Sequence, residues 1–141
     1  MLTPHDSPTL TLASDPRSAR TARDYVAAVL DEWGLGRVRE EARLLTSELV
    51  TNAVLHAGTT VTLSIDLDDE RQVVRITVRD GSRTQPRRRH YSALATTGRG
   101  LAMIDGAAEG FGIEASSEGK AVWFELGVPA SASVSRETGR A

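Results

Sequence analysis

Between Val61 and Val78 the chain spells out two strands that share one dry face. Val61, Leu63, Ile65 and Leu67 alternate with Thr62, Ser64 and Asp66, a period of two that sorts apolar and polar side chains to opposite sides of a pleated strand. Asp68-Asp69-Glu70-Arg71 is the turn, and Val73-Val74-Arg75-Ile76-Thr77-Val78 is the return strand, ending at Asp80-Gly81. A sheet with one apolar face must bury it against another layer.

Helical periodicity upstream supplies that layer. Asp15-Pro16 offers an N-cap and a first-turn proline to a helix in which Ala19, Ala22, Val26, Val29, Leu30 and Trp33 recur, with Gly34 and Gly36 as stops. A second helix is expected from about Val38 to His56. Ala42, Leu45, Leu49 and Ala53 line one face, Leu44, Val50, Val54 and Leu55 widen it, and Ala57-Gly58 ends it. Thr9-Leu-Thr-Leu12 alternates as a short first strand. Residues 82–97 lack periodicity and hold proline, serine, threonine and an arginine run, so they read as a loop, of a length that in a compact domain is usually functional or disordered. Gly98 to Ala108 reads as a third helix. Gly112-Ile-Glu-Ala and Ala121–Val128 read as closing strands around a turn at Ser116 to Gly119. The order β-α-α-β-β-loop-α-β-β implies an α/β fold, a two-layer α/β sandwich whose mixed, mostly antiparallel sheet carries its helices on one face. The expected organisation is an N-terminal segment over 1–14, one domain over 15–129 and a disordered Ser, Ala, Arg and Gly tail over 130–141.

Composition narrows the chemistry. At 141 residues there is room for one core. Seventeen basic and nineteen acidic residues give a formal charge of −2, with no global pull toward nucleic acid or an anionic membrane. Basic charge is local, at Arg83 and Arg87-Arg88-Arg89-His90. The absence of cysteine excludes disulfides, thiolate zinc sites and cysteine nucleophiles. Met1 to Asp6 has neither a charged n-region nor an apolar h-region, and no run approaches a membrane span, so a cytoplasmic protein is expected.

Glu48, Asn52 and His56 stand at i, i+4 and i+8, one polar stripe on an otherwise apolar helix. Taken singly, Glu48 is a solvated position beside the core, and as a functional group it is a carboxylate able to deprotonate a hydroxyl nucleophile. Asn52 cannot act as a base, but its amide oxygen is a hard ligand suited to Mg²⁺. His56 reads as a helix C-terminal residue favoured by the dipole. Asp80-Gly81 after a strand is a turn signal, or a carboxylate placed to accept from an exocyclic amine such as that of adenine. Gly98-Arg99-Gly100 entering a helix is an ordinary helix start or a phosphate seat, with free N–H groups at the positive dipole end. Neither a P-loop nor a strand-linked G-x-G-x-x-G is present, so neither a Walker ATPase nor a Rossmann enzyme is expected.

In combination these residues resemble the signature boxes of the GHKL (Bergerat-fold) ATPase superfamily. Glu48-x-x-x-Asn52 resembles its asparagine box, Asp80-Gly81 and Thr97-Gly98-Arg99-Gly100-Leu101 its two glycine boxes, and Gly119-Lys-Ala-Val-Trp its closing strands. The nearest likeness is to its small single-domain branch, the RsbW-type anti-sigma factor serine/threonine kinases and their actinobacterial relatives. The likeness spans roughly Asp15 to Pro129.

The resemblance implies an ATP site in which Asn52 holds Mg²⁺, Asp80 contacts adenine and Gly81 is among the nucleotide-binding residues. Residues 82–97 form a lid, Gly98 and Gly100 receive the phosphates, and Thr97, Arg99 and Leu101 belong to the same nucleotide-binding set. It implies Glu48 as the general base toward a serine or threonine hydroxyl. The implied partners are a sigma factor and an anti-sigma antagonist protein, with homodimerisation and no direct nucleic-acid or membrane binding. Two positions depart from the pattern: Ser82 stands where the first glycine of Asp-x-Gly-x-Gly is expected, and Ala121 where a threonine often stands near the adenine. A nucleotide-gated or nucleotide-independent interaction module is the alternative those departures leave open. A split histidine-phosphorylating sensor is the third reading, for which His5, His56 and His90 are poorly placed.

Overall fold

The computed structural model describes residues 7–81, 108–116 and 119–128. In chain order the elements are β1 (Thr9–Leu12), α1 (Ser18–Glu32), a 3₁₀ turn (Gly36–Val38), α2 (Arg39–Ala57), β2 (Val61–Asp68), β3 (Val73–Asp80), β4 (Ala108–Ser116) and β5 (Gly119–Gly127). The strands form one sheet in the order β1-β2-β3-β5-β4. The two helices pack on each other and on one face of the sheet, the two-layer α/β sandwich expected from the sequence. Every strand pairing among the described residues is antiparallel. A mixed sheet was the expectation, but no parallel pair occurs there, because the chain returns after β3 so that β5 runs antiparallel beside it.

The hairpin between β2 and β3 forms where the alternation places it. The Asp68 carboxylate accepts the N–H groups of Glu70 and Arg71 at 3.0 and 3.1 Å, closing the turn. The dry face packs Leu63, Ile65, Ile76 and Val78 under Leu30, Leu45 and Leu49 of the helices. Each such burial contributes roughly 1.5–3 kcal/mol before the entropic cost of ordering the chain.

Both helices sit within a few residues of their expected bounds. The N-cap position of α1 falls to Arg17, two residues after the expected Asp15, whose carboxylate instead accepts the Arg17 N–H at 2.8 Å in the turn before the helix. The first turn is bonded i to i+3, from Ser18 N–H to the Asp15 carbonyl, so the α-helix proper begins at Ser18. At the other boundary Gly58, at φ +68°, is the left-handed residue that stops α2 one position beyond His56.

The expected third helix extended to Ala108, yet Ala108 already belongs to β4, which starts four residues before the expected closing strand. The reason lies across the sheet. The Trp123 ring lies flat over Gly112, where any Cβ would overlap it, so this strand is glycine-rich rather than β-branched. Arg75 stacks over the same ring at 3.9 Å from its centroid. The rest of that expected helix, the loop over 82–97 and the tail over 130–141 lie outside the described residues. No helix among the described residues is long and apolar enough to cross a membrane.

Candidate functional site

Four chain segments meet at the Asp80 end of the sheet. Across the ladder, Asp80 is in register with Val61 of β2 and with Lys120 of β5. Strand alternation turns Asp80 and Lys120 to the helix-covered side, the side of Val78 and Val122. Their charged groups lie 3.6 Å apart, with only 2% and 7% of the respective side chains exposed. Gly81 donates its N–H to Thr59 Oγ1 at 2.9 Å, and Thr59 directly follows Gly58, the stop of α2. One hydrogen bond thus ties the end of β3 to the end of α2.

β5 can begin here only because residue 119 is glycine. Gly119 has φ +144°, and a Cβ there would overlap the Asp80 carbonyl oxygen. That approach sets Lys120 beside the Asp80 carboxylate.

Glu48 and Asn52 are carried by α2. Its core-facing residues include Leu45, Leu49, Val50 and Ala53. One flank of α2 faces α1, through Arg43–Asp24 at 3.6 Å and Arg23–Ser47 at 3.5 Å. Helical spacing puts Glu48 and Asn52 on the other flank, one turn apart and both half-buried. His56 follows in the last turn of α2, as a helix-end residue would. Thr97, Gly98, Arg99, Gly100 and Leu101, the expected phosphate seat, lie outside the described residues.

Ala121, expected near the adenine, belongs by the same alternation to the opposite face, with Trp123 and Glu125. Lys120 is the β5 residue that reaches Asp80. Sequence reading missed it by one position. Counting by twos back from Phe124 and Val122 would have found it.

The family model of the histidine kinase-like ATPase domain matches residues 12–126. The chain belongs to this family. None of the curated proteins matches the chain. Membership accounts for the GHKL signature boxes and implies ATP binding.

A carboxylate accepts and an ammonium donates, and in this histidine kinase-like ATPase domain they stand side by side at the end of the sheet. Among the described residues no three His, Asp or Glu side chains gather into a metal cage. A lone amide oxygen such as that of Asn52 suits Mg²⁺, which keeps much of its shell as water and phosphate oxygen.

Proposed function

We propose that this histidine kinase-like ATPase domain is an anti-sigma factor protein serine/threonine kinase of the RsbW type. In this reading it binds ATP with Mg²⁺, phosphorylates an anti-sigma antagonist and sequesters a sigma factor. The observation that carries the reading is the placement of Glu48 one turn from Asn52, on the flank of α2 that α1 leaves uncovered. A pure binding module has no use for a half-buried carboxylate beside a metal-ligating amide.

The chain's own residues then divide the work. Asp80 accepts from the adenine amino group and fixes the base. The Asn52 amide oxygen would hold Mg²⁺, which when bound supplies charge neutralisation for the phosphates. Glu48 orients the serine or threonine hydroxyl of the antagonist and takes its proton as the oxygen–phosphorus bond forms. ADP departs with the electrons of the broken bond. Catalysis in such a site is positioning and electrostatics rather than covalent assistance. A cytoplasmic homodimer is part of the same proposal.

The test incubates the protein with labelled ATP, Mg²⁺ and antagonists encoded beside it. Label on an antagonist serine or threonine is the expected result, and no transfer to any of them removes the kinase assignment. The second reading, an interaction module without turnover, is favoured by Ser82 at the first-glycine position. A Glu48→Ala protein that keeps its full regulatory effect in cells would select it.

A further inference from the structure

Lys120 is the charged group at this site to which the expected ATP contacts assign no role, although it pairs with Asp80 across the sheet. Its ammonium is 7% exposed beside a carboxylate that is 2% exposed. Burying an ion pair takes two charges out of water, and an apolar pair of similar size often serves a fold as well or better. The location makes the pair informative: it closes the sheet end where Asp80 faces the helix side, and Gly119 has given up a side chain to bring it there.

We infer that Lys120 is a base-reading residue, donating from Nζ to N1 of adenine while Asp80 accepts from the 6-amino group. This deepens the proposed function and rests on the ATP site read there. An adenine edge presents a donor at position 6 next to an acceptor at position 1. The Asp80 carboxylate offers only acceptors and the Lys120 ammonium only donors, and the two stand 3.6 Å apart in register across β3 and β5. The two edges are complementary in order and in sign. Guanine in the same pose reverses both, setting its 6-oxo group against the carboxylate and its N1–H against the ammonium. A site built to hydrogen-bond one edge rejects an analogue that leaves buried polar groups unpaired. The pair therefore selects 6-aminopurines against 6-oxopurines.

Calorimetric titration of the full chain with Mg²⁺ and ATP, 1-deaza-ATP or GTP tests this. 1-Deaza-ATP keeps the 6-amino group but replaces N1 with C–H. The expected result is that it binds about tenfold or more weakly than ATP, the loss typical of one hydrogen bond to a charged donor, and that GTP binds more weakly still. In Lys120→Met, ATP affinity falls by a similar factor and the preference for ATP over 1-deaza-ATP disappears. An ion pair that only holds strands together would shift the melting temperature yet leave position 1 unsensed. Equal binding of ATP and 1-deaza-ATP by the native protein overturns the role of Lys120 and leaves the ATP site standing, whereas equal binding of ATP and GTP overturns the reading of the base by Lys120 and Asp80 alike. No binding of any of the three overturns both. Should Lys120→Met fail to fold, the comparison of analogues on the native protein decides alone.

Discussion

Gly119 and Asp80 approach so closely that a single added methyl group at 119 would overlap the Asp80 carbonyl oxygen. The contact joins the first residue of β5 to the last of β3, and φ +144° at Gly119 is a backbone state that side-chain-bearing residues rarely adopt. Gly119→Ala is therefore expected to destabilise the fold by about 1–3 kcal/mol, and to weaken ATP binding by moving Lys120 off Asp80. Gly81 is the control from the same corner. A Cβ there would meet Thr59 at an ordinary 3.6 Å, so Gly81→Ala should stay within about 0.5 kcal/mol of the native protein. Urea denaturation of both variants makes the comparison, and equal losses would contradict it.

How far the sequence could be read follows from the range of the interactions. Val26, Leu30, Leu45 and Leu49 announce their helices because period and burial agree locally. The hairpin of β2 and β3 is equally legible, since its turn lies within it. Lys120 was not, because its meaning depends on the register of β5 against β3, forty positions upstream. A one-residue slip in that register changes which face a side chain takes. It separates Ala121, expected at the adenine, from Lys120, found at Asp80. The start of β4 was hidden for a similar reason: Gly110 and Gly112 accommodate an indole ring from another strand. That Glu48 and Asn52 stand one turn apart on α2 was readable because four residues on a helix is a local distance.

Among the described residues, Glu125 is a buried carboxylate whose pKa is shifted by its ion partners. Its side chain is 4% exposed and accepts from Arg71 at 2.7 Å and from Arg75 at 2.8 Å. The hydrogen bonds from Arg71 lower its pKa below the ordinary 4.5; burial opposes them, and Arg75 adds to them. A folded-state pKa below the unfolded one contributes stability that is complete above the unfolded value and disappears as pH falls through the folded one. Glu125→Gln should cost about 1–3 kcal/mol at neutral pH. The gap to the native protein should narrow below about pH 4.5, in chemical denaturation repeated from neutral to acid. A gap that widens in acid would mean the carboxylate is not held ionised by its arginines.

Thr46 offers a change in the opposite direction. It is fully buried in α2, and its Oγ1 has no hydrogen-bond partner among the described residues. A buried hydroxyl left unsatisfied costs about 1–3 kcal/mol. Valine has nearly the same shape without the polar atom. Thr46→Val is expected to raise stability by about 1 kcal/mol, shifting the urea midpoint upward with an unchanged slope. A lower midpoint would show that the hydroxyl is satisfied in solution.

Glu48 and Asn52 should separate when mutated one at a time, because one is assigned to chemistry and the other to holding the nucleotide. Asn52→Ala removes the proposed Mg²⁺ ligand, so binding of ATP in the presence of Mg²⁺ should fall below detection by calorimetry while the melting curve stays near native. Glu48→Gln keeps the shape and the hydrogen-bonding reach of the side chain but cannot take a proton. ATP affinity should then change less than about threefold, within the non-additive scatter of single substitutions. Phosphoryl transfer to the antagonist should drop by about 10²–10⁴, the usual contribution of a positioned general base. If Glu48→Gln abolishes nucleotide binding as Asn52→Ala does, the carboxylate belongs to the binding site and the base must be sought elsewhere. If transfer survives in Glu48→Gln, α2 supplies the metal ligand alone.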